Sequence, residues 1–232
     1  MQNQKNKKQI LLVGNPNVGK STLFNSLCNR KQKTGNYAGV TVASLSGNYT
    51  YKNEEVEITD LPGSYSIYPT SEDEAIFSRY LIQEQENYVG VLYIADAINM
   101  KRSLLLFQQI QDLGIPAIMV VNQIDEAEKR GINIDTKKLS ELLNIPVFET
   151  NAKQNIGIES VREAVFTNQF KVSDNNSFEI PLEQKALVYK VSSNTSEKNL
   201  YKIWTLLAAD TYLGKIENVH EIITQEDSKC SV

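Results

Sequence analysis

The strongest constraint on the fold is the segment GNPNVGKST at residues 14–22, which follows the apolar run QILLV. Four residues separate Gly14 from Gly19, and Lys20 and Ser21 follow the second glycine directly. Between a strand and a helix, glycines at this spacing let backbone N–H groups surround phosphate oxygens, while the helix N-terminus favours negative charge. The sequence therefore predicts a phosphate-binding loop between the first strand and the first helix of an α/β domain.

The residues of this loop have separate predicted roles. Lys20 would bridge the β- and γ-phosphates of a nucleotide, and the Ser21 hydroxyl would ligate Mg²⁺. The alternative is a tight turn that only leads into a helix. The predicted nucleotide contacts in the loop are Gly14, Asn15, Pro16, Asn17, Val18, Gly19, Lys20, Ser21 and Thr22.

The choice of base is predicted by the segment NQID, which follows the strand-like run AIMVV. The Asp125 carboxylate can accept hydrogen bonds from N1–H and the exocyclic amine of guanine, and adenine offers neither group. Asn122 would support the base through O6 and N7 and would tie loops together. Taken alone, this pattern can also cap the next helix. The base site would be completed by Asn151, Ala152 and Lys153, with the Ala152 N–H meeting guanine O6.

Three residues between these motifs are predicted to respond to the γ-phosphate. Thr41 would close over Mg²⁺ and the γ-phosphate through its hydroxyl and backbone, and its alternative is an ordinary loop threonine. Asp60 ends the strand-like run VEIT and would hold a Mg²⁺-bound water. The N–H of Gly63 would meet the γ-phosphate and detect its loss. The next residue, Ser64, has neither the reach nor the amide of a water-orienting glutamine, and we predict that it is not catalytic.

Composition excludes several functional classes. The 232 residues carry a formal net charge of −4, which provides no global attraction for nucleic acid, and no nucleic-acid partner is expected. Cys28 and Cys230 suit a reducing cytoplasm. His220 is the only histidine, which rules out His-based triads and His-rich metal sites. Since no apolar run approaches the length of a transmembrane helix, we expect the chain as given not to cross a membrane.

The motifs together resemble a known class. GNPNVGKST, Thr41, DLPG, NQID and TNAK resemble the signature of translation-factor-like GTPases. More specifically, GNYAGVTV, DLPGSYSIYPTSEDEAI and NQIDEAEKRGINIDTKKLSELLNIPV look like the N-terminal GTPase region of the ferrous iron transport protein B family, over residues 9 to about 168. This resemblance implies a slow GTPase that uses GTP, GDP and Mg²⁺. It also implies a module at the cytoplasmic face of the bacterial inner membrane that regulates or gates iron uptake, with a transmembrane transporter domain as its partner.

The pattern along the chain predicts an α/β P-loop GTPase fold. Six aliphatic strands alternate with helices, which indicates a mainly parallel sheet covered on both faces. We also expect a hairpin turn at Lys52 and Asn53, and a helix whose start is marked by the capping-box spacing of Ser71 and Glu74. The predicted division is a GTPase domain at 8–168, a linker at 169–181, a small helical domain at 182–225 and a disordered tail at 226–232.

The resemblance also suggests how hydrolysis proceeds without a glutamine after DLPG. The family is similar to K⁺-activated GTPases, in which the asparagine matching Asn17 coordinates K⁺. Backbone carbonyls of the first switch complete that site, here from about Gly35 and Tyr37. A cation along the phosphates would stabilise the charge that an arginine finger otherwise meets. Asn17 could alternatively only order its loop. The predicted catalytic residues are Asn17, Lys20, Thr41 and Gly63.

Three residues depart from the patterns that the chain otherwise matches. The family usually has Trp-Pro where this chain has Tyr37 and Ala38. Gln123 replaces the lysine whose apolar stem covers the base in classical GTPases, and its shorter stem predicts weaker guanine binding and fast exchange. The alternatives to an iron-transport module are a soluble ribosome-assembly or tRNA-modification GTPase and a non-hydrolysing guanine-nucleotide sensor. A homo-oligomer is left open.

Overall fold

The computed structural model describes residues 8–28, 32–36, 43–174 and 178–208. The strands are β1 (Lys8–Gly14), β2 (Gln32–Asn36), β3 (Ala43–Tyr51), β4 (Glu54–Asp60), β5 (Gly90–Asp96), β6 (Ala117–Asn122) and β7 (Val147–Thr150). The helices are α1 (Lys20–Leu27), α2 (Glu72–Gln83), α3 (Met100–Asp112), α4 (Ile124–Lys129), α5 (Thr136–Leu143), α6 (Ile158–Phe166), α7 (Lys185–Asn194) and α8 (Leu200–Ala208). Short 3-10 turns lie at Gln85–Asn87 and Leu182–Gln184.

The strands of the described ranges form one sheet in the order β2-β3-β4-β1-β5-β6-β7. β1 is parallel to β4 and β5, and β6 is parallel to β5 and β7, whereas β3 is antiparallel to β2 and β4. The predicted mainly parallel α/β sheet is therefore confirmed. The structure adds a seventh strand, β2, at the edge. Its sequence QKTGN contains no aliphatic or aromatic residue, so hydrophobic patterning could not identify it.

Two local predictions are confirmed by the backbone. Lys52 and Asn53 have φ angles of 47° and 68°, as a two-residue hairpin turn requires, and they join β3 to β4 where Tyr51 pairs with Glu54. At the start of α2, the hydroxyl of Ser71 accepts the Glu74 N–H at 3.3 Å. These short-range features follow from turn and cap chemistry within a few residues.

The core occupies both faces of the sheet. Ile10 and Leu12 of β1 pack with α1 and α6 on one face, and Leu11 and Val13 pack with α2 and α3 on the other. Because both faces are covered, the parallel strands are continuous apolar runs and lack polar alternation. The sheet is therefore a rigid base for the loops at its ends.

The parallel strands place their carboxyl ends at one edge of the sheet. Gly14 ends β1, Asp60 ends β4, Asp96 ends β5 and Asn122 ends β6. β1 lies between β4 and β5, and such a reversal of strand order opens the crevice where α/β proteins bind ligands. The loops that carry the sequence motifs therefore converge at this edge.

The segment after α6 returns to the sheet before the last helices. Lys171 and Ala117 exchange two backbone hydrogen bonds of 2.8 and 3.2 Å, and the Ser173 hydroxyl donates to the Leu143 carbonyl at 2.8 Å. The helices α7 and α8 then pack through a small apolar cluster that includes Val188 and Ile203. The predicted domain boundaries remain a proposal, and residues 209–232, including the predicted tail, lie outside the described residues. Among the described helices, none has the length and apolar character needed to span a membrane.

Candidate functional site

The predicted phosphate loop lies between the end of β1 and the start of α1. Asn17 and Gly19 have left-handed φ angles of 66° and 88°, and Asn17 is exposed. A methyl group at Gly19 would lie 2.4 Å from the side-chain nitrogen of Asn122, which is closer than atoms can pack. Glycine is therefore needed at position 19 for two reasons. The φ angle is positive, and a β-carbon would collide with the side chain of Asn122.

Lys20, which is predicted to bind phosphate, forms an ion pair with Asp60, which is predicted to hold a Mg²⁺-bound water. The Lys20 ammonium contacts the Asp60 carboxylate, and both side chains are largely buried. Burial raises the pKa of Asp60 above its ordinary value, while the positive charge of Lys20 opposes this change. A phosphate and a hydrated Mg²⁺ would each bind to one member of this pair. The Ser21 hydroxyl, also predicted to bind Mg²⁺, belongs to an exposed residue in the first turn of α1.

The donor set at this site fits magnesium bound to a nucleotide. Among the described residues, no group of three or more His, Cys, Asp or Glu side chains could hold a metal ion. Mg²⁺ usually keeps several waters and binds through one or two carboxylates together with substrate phosphates. Ser21 and Asp60 supply a hydroxyl and a carboxylate of this kind. These residues therefore suit a Mg²⁺ ion that is also bound by the phosphates of a nucleotide.

A single buried amide joins the phosphate loop to the predicted base-binding segments. Asn122 donates from its side chain to the Val18 carbonyl at 3.0 Å. Its side-chain oxygen accepts the Ala152 N–H at 3.1 Å and the Thr150 hydroxyl at 3.2 Å. Asn122 thus ties loops together, as its sequence context indicated. Because the Ala152 N–H is already bonded within the protein, its predicted contact with guanine O6 remains a proposal.

The alternative that NQID only caps a helix gains no support from the geometry. α4 begins after Gln123, which has a φ angle of 66° and forms no side-chain cap. Asp125 lies inside the first turn of α4, with its side chain 35% exposed and 3.9 Å from the Lys129 ammonium. Its carboxylate is therefore accessible. On the neighbouring loop, Asn151 is buried and accepts the Gln154 N–H at 3.2 Å, whereas Lys153 is exposed.

The segment after β4 passes directly over the phosphate loop. A methyl group at Gly63 would lie 3.1 Å from the main chain of Pro16, so the two backbones are in close contact. The Ser64 hydroxyl is buried, donates to the Ser66 carbonyl at 2.7 Å and accepts the Ser66 N–H at 3.2 Å. Because its only proton is used within its own turn, the Ser64 hydroxyl is not free to donate to a water over the loop. This geometry supports the prediction that Ser64 is not catalytic.

The described residues include only part of the predicted first switch. Gly35 lies in β2 and pairs with Ser44 of β3. Thr41 and Tyr37 lie outside the described residues. The predicted contributions of these residues to the Mg²⁺ and K⁺ sites therefore remain proposals.

Sequence reasoning missed the groups that hold the segment after Gly63. The side-chain oxygen of Gln109 in α3 accepts the Ile67 N–H at 2.9 Å, and the Ser78 hydroxyl in α2 donates to the Ile67 carbonyl at 2.6 Å. Ser78 follows the buried Phe77 in an otherwise apolar part of α2, and a polar residue in that position is a signal of a buried hydrogen bond. Both backbone groups of Ile67 are thus fixed by side chains of flanking helices.

A small cavity lies beside the phosphate loop, with a volume of about 270 Å³. Its walls include Asn15 and Asn17 of the phosphate loop, Asp96 at the end of β5, and Tyr65 and Arg102. The Arg102 guanidinium lies 3.8 Å from the centre of the Tyr65 ring, in the geometry of a cation–π contact. α3 is therefore in contact with the segment after Gly63, and both line the same cavity as the phosphate loop.

Comparison with known proteins gives a consistent family assignment. The family model for ferrous iron transport protein B matches residues 8–165. The Fe(2+) transporter FeoB of Leptospira biflexa serovar Patoc is 39% identical over 215 residues, which cover 89% of this chain and 31% of that protein. The chain thus spans less than a third of the length of that relative.

Solved structures agree with this assignment. The cytosolic domain of L. pneumophila FeoB superposes with a TM-score of 0.76 at 33% identity, covering 94% of this chain and 98% of that one. The cytosolic domain of the T. maritima FeoB iron transporter in a GDP form gives a TM-score of 0.74 at 32% identity, covering 86% of this chain and 79% of that one. With its GTPase fold and its convergent motifs, this chain belongs to the ferrous iron transport protein B family, of which it contains the GTPase module.

Proposed function

We propose that this module binds guanine nucleotides and slowly hydrolyses GTP to GDP and phosphate. The observation that carries the proposal is the position of Asn122, whose amide bonds to Val18 of the phosphate loop and to Ala152 of the base segment. One side chain thereby joins phosphate-binding and base-binding motifs into a single site. A T. maritima relative has been solved in a GDP form at 32% identity, which supports the same ligand here.

The proposed hydrolysis depends on fixed charges and backbone donors. Lys20 would leave its ion pair with Asp60 and bind the β- and γ-phosphates, where its charge offsets the charge that develops in the transition state. Mg²⁺ would neutralise phosphate charge, held by Ser21, Asp60 and Thr41. The Gly63 N–H would donate to the γ-phosphate, since its backbone already lies against Pro16.

We further propose that K⁺ does the catalytic work that the side chain of Ser64, the residue after DLPG, cannot do. Asn17 is exposed at a φ angle of 66° on the phosphate loop, so its amide oxygen is available to a cation. Gly35 and Tyr37 would add backbone carbonyls. The hydrogen bonds between Ser64 and Ser66 support this proposal. They occupy the hydroxyl of the residue that stands in the position of the water-orienting glutamine.

The test is GTP turnover by the purified chain with Mg²⁺ in KCl and in NaCl at equal ionic strength. We expect turnover to be at least about tenfold faster in K⁺, because one preorganised electrostatic group at a transition state contributes up to roughly 10²–10³ in rate. We expect Asn17→Ala to remove the difference. Gln154→Ala, at an exposed position after the base segment, is the control and should keep the K⁺ response. Equal rates in both salts for the wild-type chain would contradict the K⁺ proposal.

A second prediction concerns Gln123 and the rate at which GDP dissociates from the base site. Its side-chain nitrogen lies 3.7 Å from where a methyl group at Gly19 would stand, so the side chain borders the phosphate loop. A lysine there would extend a longer apolar stem over the base. We expect Gln123→Lys to slow GDP dissociation about three- to tenfold, measured by release of a fluorescent GDP analogue. An unchanged or faster release would show that Gln123 does not limit guanine binding.

At the level of the whole protein, we propose that the module regulates or gates ferrous iron uptake. The matched L. biflexa relative is an Fe(2+) transporter, of which this chain spans 31%. The proposed partner is therefore a transmembrane transporter domain, and the proposed location is the cytoplasmic face of the inner membrane. The net charge of −4 gives no support to an RNA-binding GTPase. Measured turnover would exclude a non-hydrolysing sensor, and sedimentation would decide whether a homo-oligomer forms.

A further inference from the structure

A buried chain of polar groups lies behind the phosphate loop. Tyr93, in the middle of β5, is completely buried. Its hydroxyl lies 3.0 Å from the side-chain oxygen of Asn15 and 2.6 Å from the backbone carbonyl oxygen of Ser103. Asn15 is the second residue of the phosphate loop and is only 3% exposed, while Ser103 belongs to α3. The chain of groups thus connects the loop to a helix through the central sheet.

The number of protons determines the direction of these hydrogen bonds. A phenol has one proton and a carbonyl can only accept, so the shorter contact assigns that proton to Ser103. The phenol oxygen then needs a donor, and the Asn15 amide provides one when its nitrogen faces Tyr93. This orientation gives an acceptor to the amide nitrogen, which is otherwise unpaired among the described residues. The unpaired atom becomes a carbonyl oxygen, which buried sites tolerate better than an unpaired N–H.

Both ends of this chain are fixed. The Ser103 hydroxyl accepts the Asp96 N–H at 3.1 Å, which fastens α3 to the end of β5. The Tyr93 ring packs against Phe107 with their centroids 5.0 Å apart. Burial raises the pKa of Tyr93 far above its ordinary value, so the phenol stays protonated at any physiological pH. The phenol therefore has little freedom to move away from Asn15.

We propose that Tyr93 is a positioning residue of the nucleotide site, which holds the phosphate loop in its binding conformation through Asn15. The inference rests on the proposed nucleotide binding. Tyr93 does not touch the phosphates, and it acts by limiting the positions of the Asn15 backbone. Loops that bind phosphate through backbone N–H groups lose affinity when those groups are displaced. Loss of the phenol hydroxyl should therefore accelerate nucleotide release.

Tyr88 offers a matched control for the loss of a buried phenol. It lies in the same apolar cluster as Tyr93, is 9% exposed, and donates to the Leu81 carbonyl at 3.0 Å. That hydrogen bond joins α2 to the loop before β5 and does not reach the phosphate loop. Tyr88→Phe and Tyr93→Phe thus remove the same group from similar surroundings. Both should lower thermal stability, and Tyr93→Phe should lower it more, because the Tyr93 hydroxyl makes two hydrogen bonds and the Tyr88 hydroxyl makes one.

The experiment measures dissociation of a fluorescent GDP analogue from the whole chain by stopped flow. One hydrogen bond of this kind corresponds to about a three- to tenfold change. We expect dissociation from Tyr93→Phe to be faster by this factor and dissociation from Tyr88→Phe to match the wild type. In an Asn15→Ala background, the Tyr93→Phe change should have no further effect, because the group on which it acts is absent.

The outcomes separate this inference from the proposed function. If the wild-type chain does not bind the analogue, nucleotide binding itself fails. If the wild type binds and Tyr93→Phe releases the analogue at the wild-type rate, the positioning role is wrong while nucleotide binding stands. Equal acceleration by both Tyr→Phe changes would also overturn the role, since it would reflect general loosening of the core. An effect of Tyr93→Phe that persists in Asn15→Ala would show that Asn15 does not carry it.

Discussion

Asp125→Asn should lower the affinity of the chain for GDP by at least about a hundredfold. The Asp125 carboxylate is accessible in the first turn of α4, and in the proposed site it accepts two hydrogen bonds from guanine. Hydrogen bonds to a charged acceptor contribute about 1.5–3 kcal/mol each. The amide of the Asp125→Asn variant would place an NH₂ donor against one of the two guanine donors, so that hydrogen bond would be lost. Isothermal titration with GDP measures the loss.

The same substitution should change base selectivity. Xanthine has a carbonyl where guanine has its exocyclic amine, so the amide introduced by Asp125→Asn could donate to that carbonyl and accept from N1–H. We therefore expect the variant to bind xanthosine diphosphate more tightly than GDP, the reverse of the wild-type order. This reversal distinguishes a change in base contact from a loss of folding, since an unfolded chain would bind neither nucleotide.

Glu126→Gln is the matched control, because it makes the same chemical change in the next residue of α4. The Glu126 side chain is 46% exposed and pairs with the Lys129 ammonium at 2.9 Å, and such surface pairs contribute little to stability. Its GDP affinity should equal that of the wild type. If Asp125→Asn and Glu126→Gln bind GDP equally well, Asp125 does not read the base and the guanine assignment is wrong.

The sequence was sufficient for the elements whose signals are local. Apolar runs that end at Gly14 and Asn122 predicted β1 and β6, and the same residues mark the edge of the sheet where the motifs meet. The hairpin turn at Lys52 was predictable because two-residue turns need positive φ angles at both positions. In each case the pattern and the contact lie within a few residues of each other.

The features that the sequence did not reveal depend on distant contacts. β2 forms by backbone pairing with β3 and carries no hydrophobic pattern. In the sequence, Tyr93 is indistinguishable from an ordinary strand residue. Asn15, which it contacts, lies 78 positions earlier in the chain. The occupied N–H of Ala152 likewise depends on Asn122, 30 positions earlier. Periodicity identifies which elements form, whereas these contacts require the packed structure.

The largest effect on the phosphate loop is expected from Gly19→Ala. The new methyl group would lie 2.4 Å from the Asn122 side-chain nitrogen, and the φ angle of 88° is unfavourable for alanine. Moving Asn122 away would break its hydrogen bonds to Val18 and Ala152, leaving buried polar groups unpaired. We expect GDP affinity to fall about a hundredfold or more, measured by titration of the folded variant.

Gly131→Ala separates backbone strain from the loss of the Asn122 contacts. Gly131 has a similar φ angle of 72°, and a methyl group there would meet no atom within 4 Å. This variant should lose about 1 kcal/mol of stability in urea unfolding and keep the wild-type GDP affinity. If Gly19→Ala lost no more GDP affinity than Gly131→Ala, the Asn122 contacts would not be needed to bring the phosphate and base segments together. The two motifs would then act independently, so the comparison tests whether this edge of the sheet works as one site.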